Sequence, residues 1–499
     1  MRTSLQAAMA AINLYSEYFL SLIISMTIAR SLSTEDYGLY STIIWLAAIG
    51  TIAINAGVTI NITKFIAEFN FKDATKLPAV MAYFRNVQLQ RVAIVSIVLF
   101  GLVFFGLVAD TIPLFLSAVL IICIIIKADY MFRVSAFKGL KRFDIIAKTS
   151  LIANPFNIIA VLICAYIAPS LINFVIVFCL TSLIYGLSTR IFNHHLPKPL
   201  ANQVFIDEHK SRLATQLISS TIIVFLGALI FKQSQVFVLE RNDLLSEAGF
   251  FNIAFILATA ATTLVPGIYQ EILLPKITEA VQAGKVESQV GQAERYLLIL
   301  SLLIAIPVVN YADEIILLLF GERYLPAVLP LQILALAKVI HTMAQGANLT
   351  LISSDKQQSM AKTHIFLFAV AFALSLALVP QYGLYGALAT YVSIISLLFI
   401  IYTQLAKKAG YKMIKASITA KIVFISLLSA IPMLAVDMII DGFLGAIFGG
   451  LIFAATYLNV LFIAKGFDNA VCSLLNQLAK KLPNAIGNYV QWGVKRYSR

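Results

Sequence analysis

Residues 29–40 read ARSLSTEDYGLY, a short charged stretch between two long apolar runs. A basic residue is favourable at the carbonyl end of a helix, so Arg30 is placed to end the first helix. Ser33 or Thr34 can cap the next helix, and the two acidic residues that follow fall in its first turn, where the helix dipole favours carboxylates. The stretch therefore predicts a tight corner between two helices.

The composition of the chain is too apolar for a water-soluble domain. Of its 499 residues, 60% are hydrophobic and 12% are charged, and the mean hydropathy is +0.90. Uncharged runs of roughly 20 residues, enough to cross a hydrocarbon core of about 30 Å, recur along the chain, which predicts an all-α polytopic membrane protein with about 14 transmembrane helices. The predicted spans lie near residues 8–29, 37–61, 87–109, 111–133, 147–168, 170–190, 213–239, 247–272, 296–318, 325–350, 360–380, 383–404, 417–439 and 441–464.

The basic residues set the predicted topology. Of the 37 Lys and Arg residues, three lie well inside predicted spans, more than five residues from either end, and Arg30, Arg241 and Arg323 lie in the loops on one side. The rest are at the N-terminus, in or next to the opposite loops, and in the tail. Because Lys and Arg of short loops stay in the cytoplasm, we expect both termini to be cytoplasmic. The net charge of +13 then reflects topology, and it gives no support to nucleic-acid binding.

The corner has a second copy downstream. ERNDLLSEAGFFNIAFILA at residues 240–258 aligns without gaps to residues 29–47, at an offset of 211. Six predicted helices separate the copies, and an even number preserves direction across the membrane, so the halves are predicted to be parallel repeats with a cleft between them. The offset pairs the predicted structural corners, Arg30 with Arg241 and Gly38 with Gly249.

The repeat predicts the domain organisation. We expect two parallel six-helix bundles around a central cavity, followed by two more transmembrane helices. The bundles are predicted to occupy residues 1–200 and 201–410, the extra helices residues 411–465, and a basic cytoplasmic tail residues 466–499.

Three lysines fall well inside predicted spans, more than five residues from either end: Lys127, Lys232 and Lys338, of which the first and the last are repeat mates. A lysine near the bilayer centre costs about 2.5 to 3.5 kcal/mol, and such residues usually face a polar interior or a substrate path. Snorkelling to the headgroups is the alternative, above all for Lys127. His341 follows Lys338 by three residues, so the two share a helix face.

The seventh span has a polar face of its own, because Lys232 lies three residues before Gln235 and about three turns after Thr221. The repeat mate of Lys232 lies one turn from Glu17 on the first helix, which lacks a small-residue cleavage site and is expected to be retained. Glu17 and Lys232 are therefore predicted to line the same cavity. A structural ion pair and a proton or sodium site coupled to transport are both open.

Other classes of site have little support in the sequence. The four cysteines have no zinc-type or disulfide-type spacing, which favours small core residues and no metal. No catalytic triad or phosphate-binding glycine loop falls in a solvent-facing segment of useful length, so we expect no enzyme and no cofactor. Residues 61–85 and 468–482 have the pattern of amphipathic helices, which fits either an interfacial helix or a docked cytoplasmic surface.

Five segments resemble the bacterial polysaccharide exporters, especially the Wzx-like O-antigen flippases, of the multidrug, oligosaccharidyl-lipid and polysaccharide flippase superfamily. They are LSTEDYGLYSTI after the first helix, AFKGLKRFDIIAK (136–148), VFVLERNDLLSEAGFFNIA (236–254), FGERYLPAVLPLQIL (320–334) and PQYGLYGALAT (380–390).

The resemblance implies a flippase of the bacterial inner membrane with twelve helices in two bundles around a cavity, plus two more. It implies alternating access that moves a polyprenyl-diphosphate-linked oligosaccharide from the cytoplasmic to the outer leaflet, alongside polymerase and chain-length components of the pathway. It also allows Lys232, Lys127 and Lys338 to contact the lipid diphosphate. Two alternatives stay open. The first is a multidrug exporter, which should have an acidic cavity for organic cations, whereas the predicted cavity here carries lysines. The second is a polysaccharide polymerase or ligase, which usually has a large external loop, whereas every predicted external loop here is short.

Overall fold

The computed structural model describes residues 20–104, 114–200, 203–231, 234–261, 286–354, 356–408, 410–411 and 414–464. Within these ranges the regular secondary structure is helical throughout, which confirms the all-α prediction. The α-helices are α1 Leu20–Ser31, α2 Thr34–Asn55, α3 Val58–Lys72, α4 Leu77–Phe104, α5 Leu114–Gly139, α6 Phe143–Ile167, α7 Leu171–Ile191, α8 Gln203–Phe231, α9 Ser234–Glu240, α10 Leu245–Ala261, α11 Val286–Asn310, α12 Ala312–Leu319, α13 Val328–Ser353, α14 Gln357–Lys407, α15 Ala416–Asp437 and α16 Gly442–Ile463.

Many of these helices are long and apolar enough to cross a membrane. In the described ranges eight pass this test, or nine if the bent pair α11 and α12 forms one span. The chain is therefore a multi-pass membrane protein. The total of fourteen spans stays a prediction, because parts of several predicted spans lie outside the described residues.

The predicted corner between the first two helices is present. Ser33 precedes α2 in an extended conformation, and its Oγ accepts a hydrogen bond from the Asp36 backbone N–H at 3.1 Å. Glu35 and Asp36 occupy the first turn, as the capping pattern predicts. Arg30 is exposed near the end of α1. The local sequence alone is enough to place this helix start.

Two predicted spans are bent or interrupted. The run predicted at 37–61 ends at Asn55, and α3 starts after Gly57, whose φ of +72° lies in the left-handed region. The run predicted at 296–318 contains a bend of 73° between α11 and α12. Hydropathy detects apolar length but not the backbone conformation of a single residue, so both departures were invisible to it.

By internal contacts the described chain separates into two compact units. The first contains the described residues of Met1–Ala260 and Asp355–Tyr402, and the second contains those of Ala261–Ser354 and Thr403–Arg499. This division is based on contacts, whereas the predicted domain boundaries are based on the sequence repeat. The contacts therefore do not test those boundaries, which stay a prediction.

The core of the first unit is built around α3. Phe65 is fully buried and lies 5.8 Å from the ring of Phe84 on α4, and Phe69 lies 5.2 Å from the ring of Phe205 on α8. The segment predicted as an interfacial helix therefore packs its apolar face against neighbouring helices. In the second unit Phe453 and Tyr457 of α16 are fully buried in a cluster with α11 and α15. Cys123, Cys164 and Cys179 are buried, which confirms their prediction as core residues.

The two copies of the corner touch each other in the first unit. A Cβ on Gly38 would lie 1.8 Å from the carbonyl oxygen of Leu245, and a Cβ on Gly249 would lie 3.4 Å from the Gly38 nitrogen. Asn252 donates a hydrogen bond of 2.7 Å to Ser41, its mate at the offset of 211. Residues near a two-fold axis contact their own symmetry mates, so these contacts support the predicted repeat.

A second set of contacts joins α3 to α8. Arg212 forms two hydrogen bonds with the carboxylate of Glu68, at 2.6 and 2.9 Å. Asn61 donates a hydrogen bond of 2.7 Å to Ser220. The Arg212 hydrogen bonds, with a further one from Lys72, lower the pKa of Glu68 to about 2. An ionised Glu68 therefore stabilises the contact between α3 and α8.

Replacement of Gly38 by alanine should destabilise the protein, because the new Cβ would collide with the backbone of α10. Overpacking of this kind costs about 1 to 3 kcal/mol, and we expect a clear fall in Tm of the purified protein in detergent. Gly450→Ala is the matched control, since a Cβ there meets no atom within 4 Å in a helix. An unchanged Tm in Gly38→Ala would contradict the close approach of α2 and α10.

The Glu68 contact should give a specific pH dependence. A carboxyl whose pKa is lowered on folding stabilises the protein above its ordinary pKa, and that stabilisation is lost as pH falls towards the lowered value. The Tm deficit of Glu68→Gln relative to wild type should be full at pH 7 and should narrow between pH 4.5 and about 2. Glu208→Gln removes a more exposed ion pair with Lys76 and should have little effect. A deficit for Glu68→Gln that does not change with pH would be evidence against the charged contact.

Candidate functional site

Lys127 lies on α5 in the first unit and is partly buried. Its Nζ is 4.6 Å from the centroid of the Phe178 ring on α7, in cation–π geometry. Cys123, one turn earlier on α5, is buried. The aromatic face stabilises a cation in otherwise apolar surroundings, so Lys127 is held in place by its neighbours.

Lys338 and His341 lie on α13 in the second unit. The Lys338 side chain is buried, with 7% of its surface exposed, and His341 is partly buried. Their spacing of three residues puts both on one helix face, as predicted. The helix that carries them is apolar enough to span a membrane. A buried amine and an imidazole therefore share one side of a membrane helix.

The predicted polar face of the seventh span is described only in part. Gln235 is buried at the start of α9 and accepts a 3.5 Å hydrogen bond from Ser234. Thr221 on α8 donates a 3.0 Å hydrogen bond to the Ala56 carbonyl. Lys232 and Glu17 lie outside the described residues, so their predicted position in one cavity remains a prediction.

The structural corners differ in their surroundings. Gly38 and Gly249 meet at the contact between α2 and α10, where their lack of side chains is required. Arg241 follows α9 and is exposed, and its backbone N–H bonds to the Phe237 carbonyl at 3.0 Å. Arg30 is likewise exposed. The two arginines thus mark helix ends, while the two glycines set the distance between helices.

A polar network surrounds the break between α2 and α3. The Ala56 carbonyl, freed by the break, accepts hydrogen bonds from Arg91 and from Thr221. The amide of Gln88 donates to Asn55 and to the Ala128 carbonyl, at 2.9 Å each. Backbone groups in a membrane interior need internal partners, and side chains of α4 and α8 supply them here. Sequence reasoning missed this network.

Three arginines on three helices converge on one carboxylate. Asp129 of α5 pairs with Arg85 of α4 at 2.6 Å, with Arg133 one turn later at 3.0 Å and with Arg190 of α7 at 3.4 Å. These four residues form what we call the Asp129 cluster. Sequence reasoning had used its arginines only as loop charges for the topology. Arg85, Gln88 and Arg91 are spaced three residues apart, and residues at this spacing share a helix face. This spacing could have indicated a polar helix face at these positions.

The second unit contains a fully buried carboxylate. Glu294 on α11 accepts a 3.0 Å hydrogen bond from the Ile414 backbone N–H. A Cβ on Gly346 would lie 2.8 Å from the Glu294 Cγ, so the carboxylate packs directly against the α13 backbone. Glu294 therefore ties α11 to the segment that precedes α15.

Candidate metal ligands are not clustered in the part of the chain that the structure describes. No group of three or more His, Cys, Asp and Glu side chains there could hold a metal ion. The polar groups in these helices include buried cations, hydrogen-bonded networks and the Asp129 cluster.

Solved structures of transport proteins share this fold at low sequence identity. The lipid II flippase MurJ in an inward closed conformation superposes with a TM-score of 0.70 at 12% identity, over 91% of this chain and 98% of MurJ. An inward-facing multidrug resistance MATE family transporter of the MOP superfamily gives 0.61 at 13% identity, over 78% and 94%. A mutant of the Vibrio cholerae MATE transporter VcmN gives 0.56 at 16% identity, over 82% and 95%.

The family comparison is more direct. Residues 7–281 match the family described as polysaccharide biosynthesis protein, which is more than half of the chain. No curated protein matches the sequence. The fold neighbours are flippases and transporters, in agreement with the resemblance noted in the sequence. The chain therefore belongs to the polysaccharide biosynthesis protein family and has the fold of the MOP superfamily of flippases and transporters.

Proposed function

We propose that the protein flips a polyprenyl-diphosphate-linked oligosaccharide from the cytoplasmic to the outer leaflet of a bacterial inner membrane, for synthesis of a cell-surface polysaccharide. Its family and its flippase-like fold support this function. The observation that carries the proposal is Lys338, a buried amine in a membrane helix with His341 on the same face. A lysine there costs about 2.5 to 3.5 kcal/mol, and such residues usually mark a substrate path.

The chemistry of the substrate explains why a cationic path is needed. A diphosphate and its sugars cannot cross hydrocarbon unaided, because their desolvation is too costly. A hydrated cleft open to the side lets the polyprenyl tail remain in lipid while amines bind the diphosphate. In this proposal Lys127, Lys232 and Lys338 bind the diphosphate, and Gln235 and His341 add hydrogen bonds.

Alternating access assigns a role to the two contact sets of the first unit. In the predicted topology the α2–α10 contact lies at the outer end of the helices and the α3–α8 contact at the cytoplasmic end. The helices α8 and α10 belong to the predicted second bundle, so each contact joins the predicted bundles. Transport requires each contact to open in turn, and substrate binding must favour one state over the other. Glu17 is the proposed site of proton or sodium coupling, and unchanged transport in Glu17→Gln would remove that role.

Multidrug export is the second candidate function. The fold likeness to MATE family transporters favours it, since their architecture is shared with this chain. Against it stand the lysines, because a site for organic cations should carry acidic groups. Transport of an organic cation by the purified protein, without flipping of a lipid-linked sugar, would select this function over the first.

The flippase function predicts a defect in cells that lack the protein. Lipid-linked oligosaccharide should accumulate on the inner leaflet after deletion, and wild type should restore its export. Lys338→Gln should reduce the rate of flipping about 10-fold or more, because one charge-assisted bond to the diphosphate is lost. The rate is measured as protection of a labelled oligosaccharide from an added lectin in proteoliposomes.

Lys408→Gln is the matched control, since Lys408 is exposed after the end of α14. It removes the same charge and should flip at the wild-type rate, with equal protein in the membrane. Equal flipping by Lys338→Gln and wild type would rule out Lys338 as a substrate contact. Normal surface polysaccharide in the deletion strain, with no second transporter present, would contradict the function itself.

Alternating access also predicts that the outer contact must open. The hydroxyl oxygens of Thr34 and Ser246 lie 3.1 Å apart, so cysteines at these positions are close enough for a disulfide. In a background with the native cysteines replaced by serine, oxidation of the pair should abolish flipping, and reduction should restore it.

A control pair tests whether cross-linking itself is harmful. The Thr456 hydroxyl of α16 donates a hydrogen bond of 3.2 Å to the backbone carbonyl of Ser429 on α15, so these positions are adjacent, and they lie outside the predicted six-helix bundles. Oxidised cysteines at these positions should leave flipping unchanged. Continued flipping in the oxidised Thr34/Ser246 variant, with cross-linking shown to be complete, would mean that this contact stays closed during transport.

A further inference from the structure

The Asp129 cluster carries more positive charge than its own carboxylate can balance. Three guanidinium groups surround one aspartate whose side chain is 9% exposed. The cluster therefore has an excess of two positive charges in a partly buried setting. The three guanidinium groups repel one another, and this repulsion is screened less in a protein than in water. A second anion at the cluster would relieve it.

The arginines also have unused donors. Each guanidinium has five N–H donors. Hydrogen bonds within the described residues engage one nitrogen of Arg85, two of Arg133 and one of Arg190. Arg190 is the most open of the three, with 57% of its side chain exposed, and Arg85 is 30% exposed. An anion can therefore reach unused N–H donors of guanidinium groups that already converge on one carboxylate.

Two of the three guanidinium groups are held in position by neighbours other than Asp129. Arg85 lies over the Phe132 ring, 5.5 Å from its centroid, and donates to the Gln88 side chain at 2.7 Å. Arg133 is held by Asn193, which follows α7. Groups held in this way lose little conformational entropy when they bind a ligand. The cluster is therefore preorganised.

We propose that the Asp129 cluster binds a phosphate ester of a membrane lipid. The planar fork of arginine matches the oxygens of phosphate in two-point hydrogen bonding. Arg190 is the penultimate residue of α7, and Arg133 lies six residues, about 9 Å, before the end of α5. In the predicted topology both ends are cytoplasmic, at the depth of lipid headgroups. A phosphate group on a lipid anchored in the same leaflet is placed to reach them.

The identity of the lipid has two sources, a phospholipid headgroup and the diphosphate of the polyprenyl carrier. The second identification rests on the proposed function and would make the cluster a point of capture on the cytoplasmic side. Binding of a phosphate ester does not rest on it. The two claims therefore fail separately, since a protein that flips no oligosaccharide can still bind phosphate here.

The test uses the full chain in nanodiscs of phosphatidylcholine at low salt. Inorganic diphosphate is the soluble probe, and its binding is measured by titration calorimetry. Wild type should bind it saturably. Arg190→Gln should weaken binding about 10-fold, the value of one charge-assisted bond, and Arg190→Lys should fall between the two because it keeps the charge but loses the fork. The exposure of Arg190 makes unfolding of the variants easy to exclude by Tm.

Arg142→Gln is the matched control. Arg142 is also an arginine on the predicted cytoplasmic side, but it is balanced by Asp144 in a one-to-one pair at 2.9 Å. Its loss should change the affinity by less than about twofold, as expected for a screened surface charge. The proposed site is ruled out if wild type does not bind diphosphate or if Arg190→Gln binds it as tightly as wild type does. It is also ruled out if Arg190→Gln and Arg142→Gln weaken binding equally.

A second measurement identifies the source of the phosphate. Native mass spectrometry compares retention of phosphatidylglycerol with retention of a polyprenyl diphosphate, in wild type and in Arg190→Gln. A loss of either lipid in the variant supports the site. Preferential retention of the polyprenyl diphosphate by wild type assigns the cluster to the carrier, and preferential retention of phosphatidylglycerol assigns it to the surrounding membrane. Equal retention of both lipids by wild type and variant contradicts the proposal.

Discussion

The close approach of α2 and α10 fixes the geometry of the first unit. Gly38 leaves room for the backbone at Leu245, which a single added carbon would displace. The same contact brings Ser41 within hydrogen-bond distance of Asn252, its mate in the repeat. Two short stretches 211 residues apart thus face each other because each lacks a side chain at one position. The glycines matter here for distance, since both lie within helices of ordinary backbone conformation.

A second constraint is that polar groups among membrane helices need partners within the protein. The break at Gly57 places a backbone carbonyl of Ala56 outside the helix pattern, and Arg91 and Thr221 satisfy it. Gly57 also approaches α8 so closely that a Cβ would lie 2.6 Å from the Thr221 hydroxyl. The bend, the close contact and the arginine therefore depend on one another. Such a break is stable only where a neighbouring helix can supply donors.

The sequence was sufficient for the features that depend on local chemistry. Apolar runs predicted the helices, the capping serine predicted the start of α2, and the gapless repeat predicted two stretches that turn out to touch. It was insufficient where function depends on which long-range contacts form. Arg85 was counted as a loop charge because hydropathy began the helix at residue 87, whereas α4 begins at Leu77 and puts Arg85 on a packed face. The partners of Asp129 come from three helices, and spacing along the chain indicates only Arg133, four residues later on the same helix.

The two contact sets of the first unit differ in chemistry, and this difference bears on how a transport cycle could be driven. The α2–α10 set, which the predicted topology puts on the outer side, consists of glycine backbones and neutral hydrogen bonds, such as Thr34 with Ser246. The α3–α8 set, which the same topology puts on the inner side, includes the bidentate pair of Glu68 and Arg212. Because 45% of the Arg212 side chain is exposed, its hydrogen bonds to Glu68 can be exchanged for bonds to water or to another anion. Close-packed backbones, in contrast, lose dispersion contacts when they part. Under the proposed function an anionic headgroup that reaches the cationic side first would compete for arginines there. The substrate can then weaken the α3–α8 contact by binding directly to its arginine. The glycine and hydroxyl contacts of α2 with α10 offer no charged group for the substrate to bind, so their opening must be driven by the free energy of the whole conformational change.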